Sequence, residues 1–473
     1  MVEKVVVFIL SFLFLFFSAC KEAVKAPNVA GVFYPSEPEI LKKEVDNFIQ
    51  GAEYQDIKGE LIALISPHAG YQFSGQVAGY AYRNLHDRPV KTVIIIGPAH
   101  YFPFRGISVY KEGFFRTPLG DVEIDEKVSG LLIKEEMDVS FIKEAFLKEH
   151  SLEVQLPFLQ RTLKRFRVVP VLVGSPTERS LQHVIPVLTE LLRKQRDVLI
   201  IASSDLSHYH TYEEARKMDM MFIDAILRLA IEELQGLLSR GEVEACGAWP
   251  VIITMAVARN LGATEGILYK YANSGDITGD TRRVVGYAAI GLYKKELSPG
   301  QRSFLLKIAR ETIFSYVKEK KIPRFNIIDR RLMASGATFV TIKDRYGNLR
   351  GCIGNIFPVM PLYESVQKNA IAAATADPRF PPLRPEELEG LSVEVTVLSP
   401  LERITDPEDI VIGRHGLFIV KGSKSGILLP QVPVEFGWDR KTFLKEVSLK
   451  AGLPEDAWKD GELYRFTAEI IKE

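Results

Sequence analysis

The chain has 473 residues, of which 47% are hydrophobic and 25% are charged, as in a globular protein of two or three domains. Lys plus Arg and Asp plus Glu both number 60, so the net charge carries no signature of nucleic-acid binding or of an acidic partner. Only three cysteines are present, which excludes a disulfide-rich scaffold.

Residues 1–20 are predicted to form a lipoprotein signal peptide. Lys4 precedes the apolar run from Val5 to Phe17, which is too short to span a bilayer but suits the hydrophobic part of a signal peptide. The residues before Cys20, Phe-Ser-Ala, resemble a bacterial lipobox, which implies cleavage before Cys20 and lipid attachment to it. We expect a bacterial lipoprotein held at a membrane by this lipid, facing the periplasm or the cell exterior. An uncleaved anchor or a misassigned start, with a cytoplasmic protein, is the alternative.

From residue 27 to residue 293, short apolar runs typical of buried strands alternate with helical stretches. Strands are predicted near 61–65, 92–96, 168–173, 198–202 and 284–292, and helices at 37–50, 151–165, 181–193, 211–229 and 250–260. This alternation predicts an α/β domain with a layered, mostly parallel sheet. The charged segment 294–302 contains Pro-Gly and is predicted to be a linker.

Residues 303–473 mix strands and helices without strict alternation, which predicts a smaller α+β domain. Helices are expected at 303–320, 361–376 and 440–451. A hairpin is predicted to turn at Tyr346–Asn348, and a second to span 416–429. Further strands are expected at 391–399 and 463–470.

Three histidines follow predicted strands of the first domain directly. His68 comes after 61–65, His100 after 92–96, and His208 after 198–202, with Asp205 three residues before His208. Ligands collect at the carboxyl ends of strands in open α/β sheets, and imidazole is the commonest metal-binding side chain. A single histidine at a strand end is more often a structural hydrogen-bonding residue, but the joint placement favours a metal site. The Pro- and Gly-containing turns around His68 and His100 favour these two as ligands.

Cys246 is the candidate third ligand. It precedes a stretch predicted to be helical, and the start of a helix stabilises a thiolate and lowers its pKa. The alternative is a small buried hydrophobic residue, which is how most free cysteines behave. Asp205 and His208 suit proton transfer or support of a ligand. His150 is a weaker candidate, because it could equally be an exposed histidine near a helix start.

Five motifs of the first domain together resemble the Memo family: SPHAGY, GPAH, EHSLEVQLPFL, SSDLSHY and CGAWP. The resemblance covers nearly all of 27–293 and implies the fold of the class III extradiol dioxygenases, non-haem iron enzymes that cleave catechol rings. By position it implies that His68, His100 and Cys246 are metal-site residues, with Asp205, His208 and His150 as polar neighbours. The likeness to the dioxygenases favours iron(II). Cysteine stands where those enzymes have a carboxylate, and this soft thiolate widens the choice to copper or zinc.

The second domain resembles an AMMECR-type domain through LRGCIGNI, ATADPRFPPL and LLPQVPVEFGW. Gly351 and Gly354 flank Cys352, which is a candidate nucleophile beside Arg350. His415 is the only histidine of the domain and is its candidate partner. The simpler interpretation, which we favour, is a tight sheet in which Cys352 is merely packed.

The leading hypothesis is a metal-dependent, oxidoreductase-like enzyme with one metal ion and an unknown substrate, which the second domain binds or presents. The Memo and AMMECR resemblances also imply a radical-SAM protein as partner, because the three kinds of protein recur together in bacteria and archaea. One alternative is a non-catalytic module that binds a peptide or copper. The other is a thiol enzyme centred on Cys352.

Overall fold

The structure is a computed structural model that describes residues 24–57, 59–85, 89–404 and 406–473. The predicted signal peptide and the predicted lipidation site Cys20 lie outside these residues. Within the described ranges, no helix combines the length and the apolar character that crossing a membrane requires.

The first domain contains twelve strands and ten α-helices among its described residues. In chain order they are β1 (Val24–Lys25), α1 (Pro38–Gly51), β2 (Glu60–Ser66), α2 (Tyr71–Arg83), β3 (Thr92–Pro98), β4 (Ile107–Val109), β5 (Phe114–Thr117), β6 (Gly120–Glu123), α3 (Glu126–Leu132), β7 (Val139–Ser140), α4 (Lys143–Phe146), α5 (Leu156–Thr162), β8 (Arg167–Val173), α6 (Glu178–Lys194), β9 (Val198–Ser203), β10 (His208–His210), α7 (Tyr212–Leu227), α8 (Ile231–Ser239), α9 (Ala248–Asn260), β11 (Glu265–Asn273), α10 (Ser274–Thr278) and β12 (Val284–Lys294).

Nine of these strands form one large sheet in the order β10-β12-β2-β9-β3-β8-β4-β7, with β11 paired to β12. The central strands β2, β9, β3 and β8 are parallel neighbours. Towards the edges, β12 pairs antiparallel with β2, and β4 pairs antiparallel with β8. The predicted α/β fold is therefore confirmed, and the parallel pairing is concentrated at the centre of the sheet.

Helices cover both faces of this sheet, which is why its central strands are apolar throughout. On β3, Ile94 and Ile96 belong to one hydrophobic core, whereas Val93 and Ile95 belong to the other. Alternate side chains of a strand point to opposite faces, so each face has its own core. The sheet and its two helical layers hold the strand ends in fixed positions.

The second domain contains eight strands and five helices within the described part of the chain. They are α11 (Pro299–Glu319), α12 (Arg330–Met333), β13 (Ala337–Lys343), β14 (Leu349–Gly354), α13 (Leu362–Thr375), β15 (Ser392–Leu398), β16 (Glu402–Arg403), β17 (Gly416–Lys421), β18 (Lys424–Leu428), α14 (Val432–Glu435), α15 (Arg440–Lys450), β19 (Glu462–Phe466) and β20 (Ala468–Lys472).

These strands form two antiparallel sheets of four, ordered β14-β13-β15-β20 and β16-β19-β17-β18. The single strand predicted at 463–470 is wrong, because Thr467 separates β19 in one sheet from β20 in the other. The hairpin around Tyr346–Asn348 is present, with Gly347 at φ 83° in its turn. Strands and helices are mixed as expected for an α+β domain.

The second domain meets the first at the amino-terminal ends of the central strands. Gly59, which directly precedes β2, and Glu60, its first residue, line a cleft shared with the second domain. Two long ion pairs join the domains, Arg330 with Asp224 at 3.6 Å and Arg193 with Glu402 at 3.9 Å. β12 ends at Lys294 and α11 begins at Pro299, so the connection between the domains is short.

Candidate metal centre

Three imidazoles converge at the carboxyl-terminal edge of the large sheet. His68 and His100 each lie two residues beyond a central strand, β2 and β3, and His150 lies between α4 and α5. One ring nitrogen from each of the three lies within 4.8 Å of the others. The ring of His150 stacks on that of His100 with centroids 4.8 Å apart, and His68 meets both edge-on. Such a cluster can hold a metal ion.

The position of the ring proton on His68 follows from its neighbours. Ser203, the last residue of β9, donates its hydroxyl proton to the carbonyl of Ser151 at 2.6 Å and accepts from the Gln155 amide at 2.8 Å. Its Oγ lies 3.0 Å from Nδ1 of His68. Because the only proton of this hydroxyl is already used, Nδ1 of His68 must be the donor. Nε2 of His68 then carries no proton of its own and lies 3.1 Å from Sγ of Cys246; its lone pair is what a metal would use.

Glu149 fixes His100 in the same way. Its carboxylate lies 2.9 Å from Nδ1 of His100 and accepts the backbone N–H groups of His100, His150 and Ser151. Burial alone would raise the pKa of Glu149, but the hydrogen bond and charge of His100, together with the backbone donors, hold it at about 2. An ionised Glu149 accepts the proton on Nδ1, so in the neutral imidazole of His100 the unprotonated atom is Nε2.

His150 has a different environment from the other two imidazoles. Its Nδ1 is buried and makes no hydrogen bond to any described residue, although Oε1 of Glu149 lies 3.5 Å away. Burial lowers the pKa of His150 to about 4, so its ring is neutral at physiological pH. A buried imidazole nitrogen without a partner is costly unless something binds it. His150, expected as a polar neighbour, thus lies within the cluster itself.

Cys246 lies beside the cluster, two residues before the start of α9. Its Sγ is 3.1 Å from Nε2 of His68 and 3.6 Å from the carbonyl of Asp205. Gly247 allows this approach, because a Cβ there would come within 2.5 Å of the Ser203 carbonyl. The expectation of a lowered thiol pKa is wrong for the metal-free protein: burial raises the pKa of Cys246, and the nearby Asp205 carboxylate raises it further. The helix start does not compensate for this desolvation.

Asp205 supports the turn that carries His68. Its Oδ1 accepts the backbone N–H of His68 at 2.8 Å and that of Ala69 at 3.3 Å, and its Oδ2 is 4.0 Å from Nε2 of His68. Burial raises the pKa of Asp205 to about 7, although the two backbone hydrogen bonds oppose the change. Asp205 therefore positions the turn that carries His68 and can hold a proton near neutral pH.

His208 is the first residue of β10. Its backbone N–H donates to Glu244 at 2.7 Å, and Glu244 also lies 3.0 Å from Nε2 of His210. Burial lowers the pKa of His208, and the positive charge of His100 would lower it further. The charge of His208 would lower the pKa of His68, but the group of three ring nitrogens that could hold a metal does not include His208.

Two tyrosines directly follow histidines of this region in the chain: Tyr101 follows His100, and Tyr209 follows His208. Tyr101 is 54% exposed and lies with its ring 5.8 Å from that of His150. Tyr209 is 62% exposed, has a φ of 65°, and lies under the guanidinium of Arg283 at 5.0 Å. His100 itself has 27% of its side chain exposed. The cluster is therefore accessible from solvent.

The candidate thiol pair of the second domain is not assembled. Cys352 lies on β14, where Thr341 donates a hydrogen bond to its sulfur at 3.3 Å, and Nδ1 of His415 accepts the backbone N–H of Val411. No contact joins Cys352 and His415 among the described residues. Burial raises the pKa of Cys352, and the expected help from Arg350 is missing because that guanidinium pairs with Glu387 at 2.8 Å.

Ser203, Gln155 and Glu149 were not identified from the sequence as parts of this site. Ser203 and Glu149 act on histidines that lie 135 and 49 positions away in the chain, and Gln155 acts on Ser203 across 48 positions. The only local signal is position: Ser203 ends a buried strand, and Glu149 directly precedes His150.

Comparisons with known proteins agree on the identity of both domains. A family model described as Memo-like protein matches residues 25–291, and one described as AMMECR1 matches residues 306–471. The chain is 37% identical over 276 residues to a MEMO1 family protein of Methanopyrus kandleri and 41% identical over 265 residues to one of Aquifex aeolicus. Each alignment covers 56% of this chain, and 98% and 97% of the respective relative.

A crystal structure of an uncharacterized protein from Pyrococcus horikoshii is also similar. It shares 45% sequence identity over 36% of this chain and 90% of that chain, with a TM-score of 0.35. The first family model alone matches more than half of the chain. The chain therefore belongs to the Memo family, and an AMMECR1 domain follows its Memo domain.

Proposed function

We propose that this protein binds one transition metal ion, iron(II) in preference to copper or zinc, and uses it in oxidoreductase-type chemistry. The observation that carries the proposal is the convergence of three imidazoles, two of which have Nδ1 held by Ser203 and Glu149. Imidazole nitrogen suits iron, copper and zinc alike. The preference for iron rests on the likeness to the class III extradiol dioxygenases.

The proposed ligands are His68, His100 and Cys246, with His150 as the competitor for the third place. Sγ of Cys246 and Nε2 of His68 lie 3.1 Å apart, so in the metal-free protein the thiol proton lies between them. Binding of a metal by both atoms requires that this proton leave. The orphaned Nδ1 of His150 supports the alternative set of three histidines.

A bound iron(II) with open positions would bring oxygen and an organic substrate together in one place. The protein's own residues would orient the ligands and move protons. Asp205, whose pKa is about 7, is able to accept or release a proton near neutral pH, and His208 is the second candidate for this role. The unknown substrate would approach past Tyr101 and Tyr209.

Metal analysis of the full chain purified without oxygen tests the site. Wild type should contain about one metal ion per chain, and His68→Ala and His100→Ala should each retain less than about a tenth of it. Cys246→Ala and His150→Ala decide which residue is the third ligand. Only substitution of the true ligand should lower the metal content to that level. His183→Ala is the matched control, since His183 contacts the carbonyl of Leu132 outside the cluster. Full metal content in both His68→Ala and His100→Ala would remove the proposal.

A non-catalytic copper- or peptide-binding module is the second candidate. The specific observation in its favour is the thiol–imidazole pair, because soft thiolate and imidazole donors suit copper(I). Oxygen uptake by the iron-loaded protein with simple catechols separates the two functions. Substrate-dependent uptake that is lost in His100→Ala favours the enzyme, whereas a copper-loaded protein without uptake favours the binding module. A thiol enzyme at Cys352 is disfavoured by the raised pKa of that thiol and by the position of His415.

For the second domain we retain a role in binding the substrate or a partner such as a radical-SAM protein. Its contact with the first domain lies at the start of β2, whereas His68 follows the end of that strand. Seven strand residues span roughly 23 Å at about 3.3 Å per residue. Direct transfer of substrate from this contact to the histidine cluster of the same chain is therefore not favoured, and a separate binding role fits better.

A further inference from the structure

A cavity of about 1180 Å³ lies between the two domains. The first domain contributes the start of β2 and the ends of α9 and β12, and the second contributes the segment from α12 to β13, the end of β15 and the start of β20. The cavity lies at the amino-terminal ends of the central strands of the large sheet, whereas the histidine cluster lies at their carboxyl-terminal ends. Its volume is that of a pocket for a small organic molecule.

The lining of the cavity carries an excess of positive charge. Its cationic side chains outnumber its carboxylates, the cations being Arg259, Lys294, Lys295, Arg302, Arg331 and Arg414, and the carboxylates Glu60, Glu296 and Glu469. Ion pairs neutralise three of the cations: Arg259 with Glu232, Lys295 with Glu265, and Arg302 with Glu469. Lys294, Arg331 and Arg414 have no carboxylate within 4 Å among the residues that the structure describes.

Arg331 is the most informative of these three side chains. Its Nε is fully buried and makes no hydrogen bond to the described part of the protein. Burial lowers the pKa of its guanidinium, while the more distant charges of Glu265, Glu469 and Asp329 oppose this. Glu265 and Glu469 already bind Lys295 and Arg302 at 2.8 Å and 2.6 Å. A largely buried guanidinium is stable only when its charge and its N–H groups are matched by an anion.

Asp329 is similarly occupied and does not serve Arg331 as an ion-pair partner. It accepts the amide of Gln301 at 2.9 Å and caps α12 through the backbone N–H groups of Arg331 and Leu332. Ser335, which follows α12 and lines the cavity, has a hydroxyl with no hydrogen bond to any described residue. Cationic and neutral donors thus face the same space.

We propose that this cavity binds a small anion that carries two or more negative charges on phosphate or carboxylate groups, held by Arg331 together with Lys294 and Arg414. The planar guanidinium of Arg331 pairs with either group through two parallel hydrogen bonds. Lys294 belongs to the first domain and Arg331 to the second, so the anion bridges the domains. The site is independent of the proposed metal, because the two lie at opposite ends of the sheet.

Calorimetric titration of the full chain with pyrophosphate and, separately, with citrate tests the site. At least one of the two anions should bind wild type with one site per chain, and the stronger one identifies phosphate or carboxylate as the group recognised. Arg331→Gln should weaken this binding at least tenfold. Arg345→Gln is the matched control, because Arg345 lies in the turn between β13 and β14, outside the cavity lining, and forms no ion pair with any described residue; the affinity of this variant should stay within twofold of wild type.

Two outcomes overturn the proposal. One is no detectable binding of either anion by wild type at millimolar concentration. The other is equal affinity in wild type and Arg331→Gln, which would place the anion elsewhere, for example at the histidine cluster. Circular dichroism checks that Arg331→Gln is folded, and if it is not, Lys294→Gln takes its place with the same expected loss. Metal content should be unchanged in all of these variants.

Discussion

At the scale of single residues, the candidate metal centre depends on protons whose positions other side chains determine. The hydroxyl of Tyr82 donates to Oε1 of Gln155 at 2.5 Å, which turns the Gln155 amide nitrogen towards Ser203. Ser203 then has a lone pair for Nδ1 of His68 and no proton left to offer it. A buried chain of hydrogen bonds therefore selects the His68 tautomer in which Nε2 carries no proton.

Ser203→Ala tests this chain. Without the acceptor, Nδ1 of His68 loses its hydrogen bond and the imidazole loses its fixed orientation, so affinity for the metal should fall by about 10–100-fold. Competition with a chromogenic chelator measures the change. Ser129→Ala is the control, since the Ser129 hydroxyl is also buried but has no hydrogen-bond partner among the described residues. Equal affinity in Ser203→Ala and wild type would show that the tautomer is set in another way.

At the scale of elements, the second domain depends on short polar links between strands and loops. Asp377, in the loop after α13, accepts the backbone N–H of Cys352 on β14 at 2.8 Å and binds Arg379 at 2.7 Å. The hydrogen bond from Arg379 is the main cause that lowers the pKa of the buried Asp377. The loop and the edge strand are thereby joined through an ionised carboxylate.

Asp377→Asn should reduce the free energy of unfolding by about 2 kcal/mol at pH 7, a typical value for a hydrogen bond to a charged group. A carboxylate whose folded-state pKa is depressed stabilises the fold above its unfolded pKa, about 3.9, and loses that contribution as the pH falls. The difference between wild type and Asp377→Asn should therefore shrink progressively below about pH 4. Urea unfolding at pH 7 and at pH 3.5 measures it, and a difference that stays constant with pH would contradict the assignment.

The sequence predicted the central strands correctly because β2, β3, β8 and β9 are buried on both faces and are apolar without interruption. It missed α2, whose glycines resemble helix breakers. In the structure Gly75 and Gly79 allow α2 to pack against α1, since a Cβ at either would collide with Phe48. The function of these glycines lies in a contact between helices, which no local pattern displays.

The histidines of the site could be predicted from the sequence because each lies just after a strand or within a motif. Their hydrogen-bond partners could not be predicted in this way. The effect of Glu149 on His100 crosses 49 positions, and that of Ser203 on His68 crosses 135. The raised pKa of Cys246 also depends on burial by the whole fold and not on the adjacent helix start. Burial and hydrogen bonding between residues that are far apart in the chain could not be predicted from the sequence.

At the scale of the whole molecule, the two domains have separate hydrophobic cores. The cores on the two faces of the large sheet draw on residues up to Tyr293, and those of the second domain begin with Leu297. The relatives from Methanopyrus kandleri and Aquifex aeolicus are covered almost completely by the first part of this chain. Nearly the whole length of those relatives therefore corresponds to the Memo domain of this chain.

We expect residues 24–296 and 297–473 to fold when produced separately. The ion pairs between the domains are long or exposed, and such pairs contribute roughly 0–1 kcal/mol each. Each fragment should unfold in one cooperative transition, monitored by circular dichroism, and the first should keep the metal content of the full chain. Aggregation of the first fragment, or its loss of metal, would show that the second domain completes the site.

Gly247 sets a limit on how this protein can be stabilised. Replacing glycine by alanine often raises stability, because it reduces the freedom of the unfolded chain. At Gly247 the gain is not available, because the added methyl group would collide with the end of β9 and move Cys246 away from His68. Glycine is therefore required at the point where Sγ of Cys246 lies 3.1 Å from the imidazole of His68. Selection for heat resistance alone would be expected to change many surface glycines before this one.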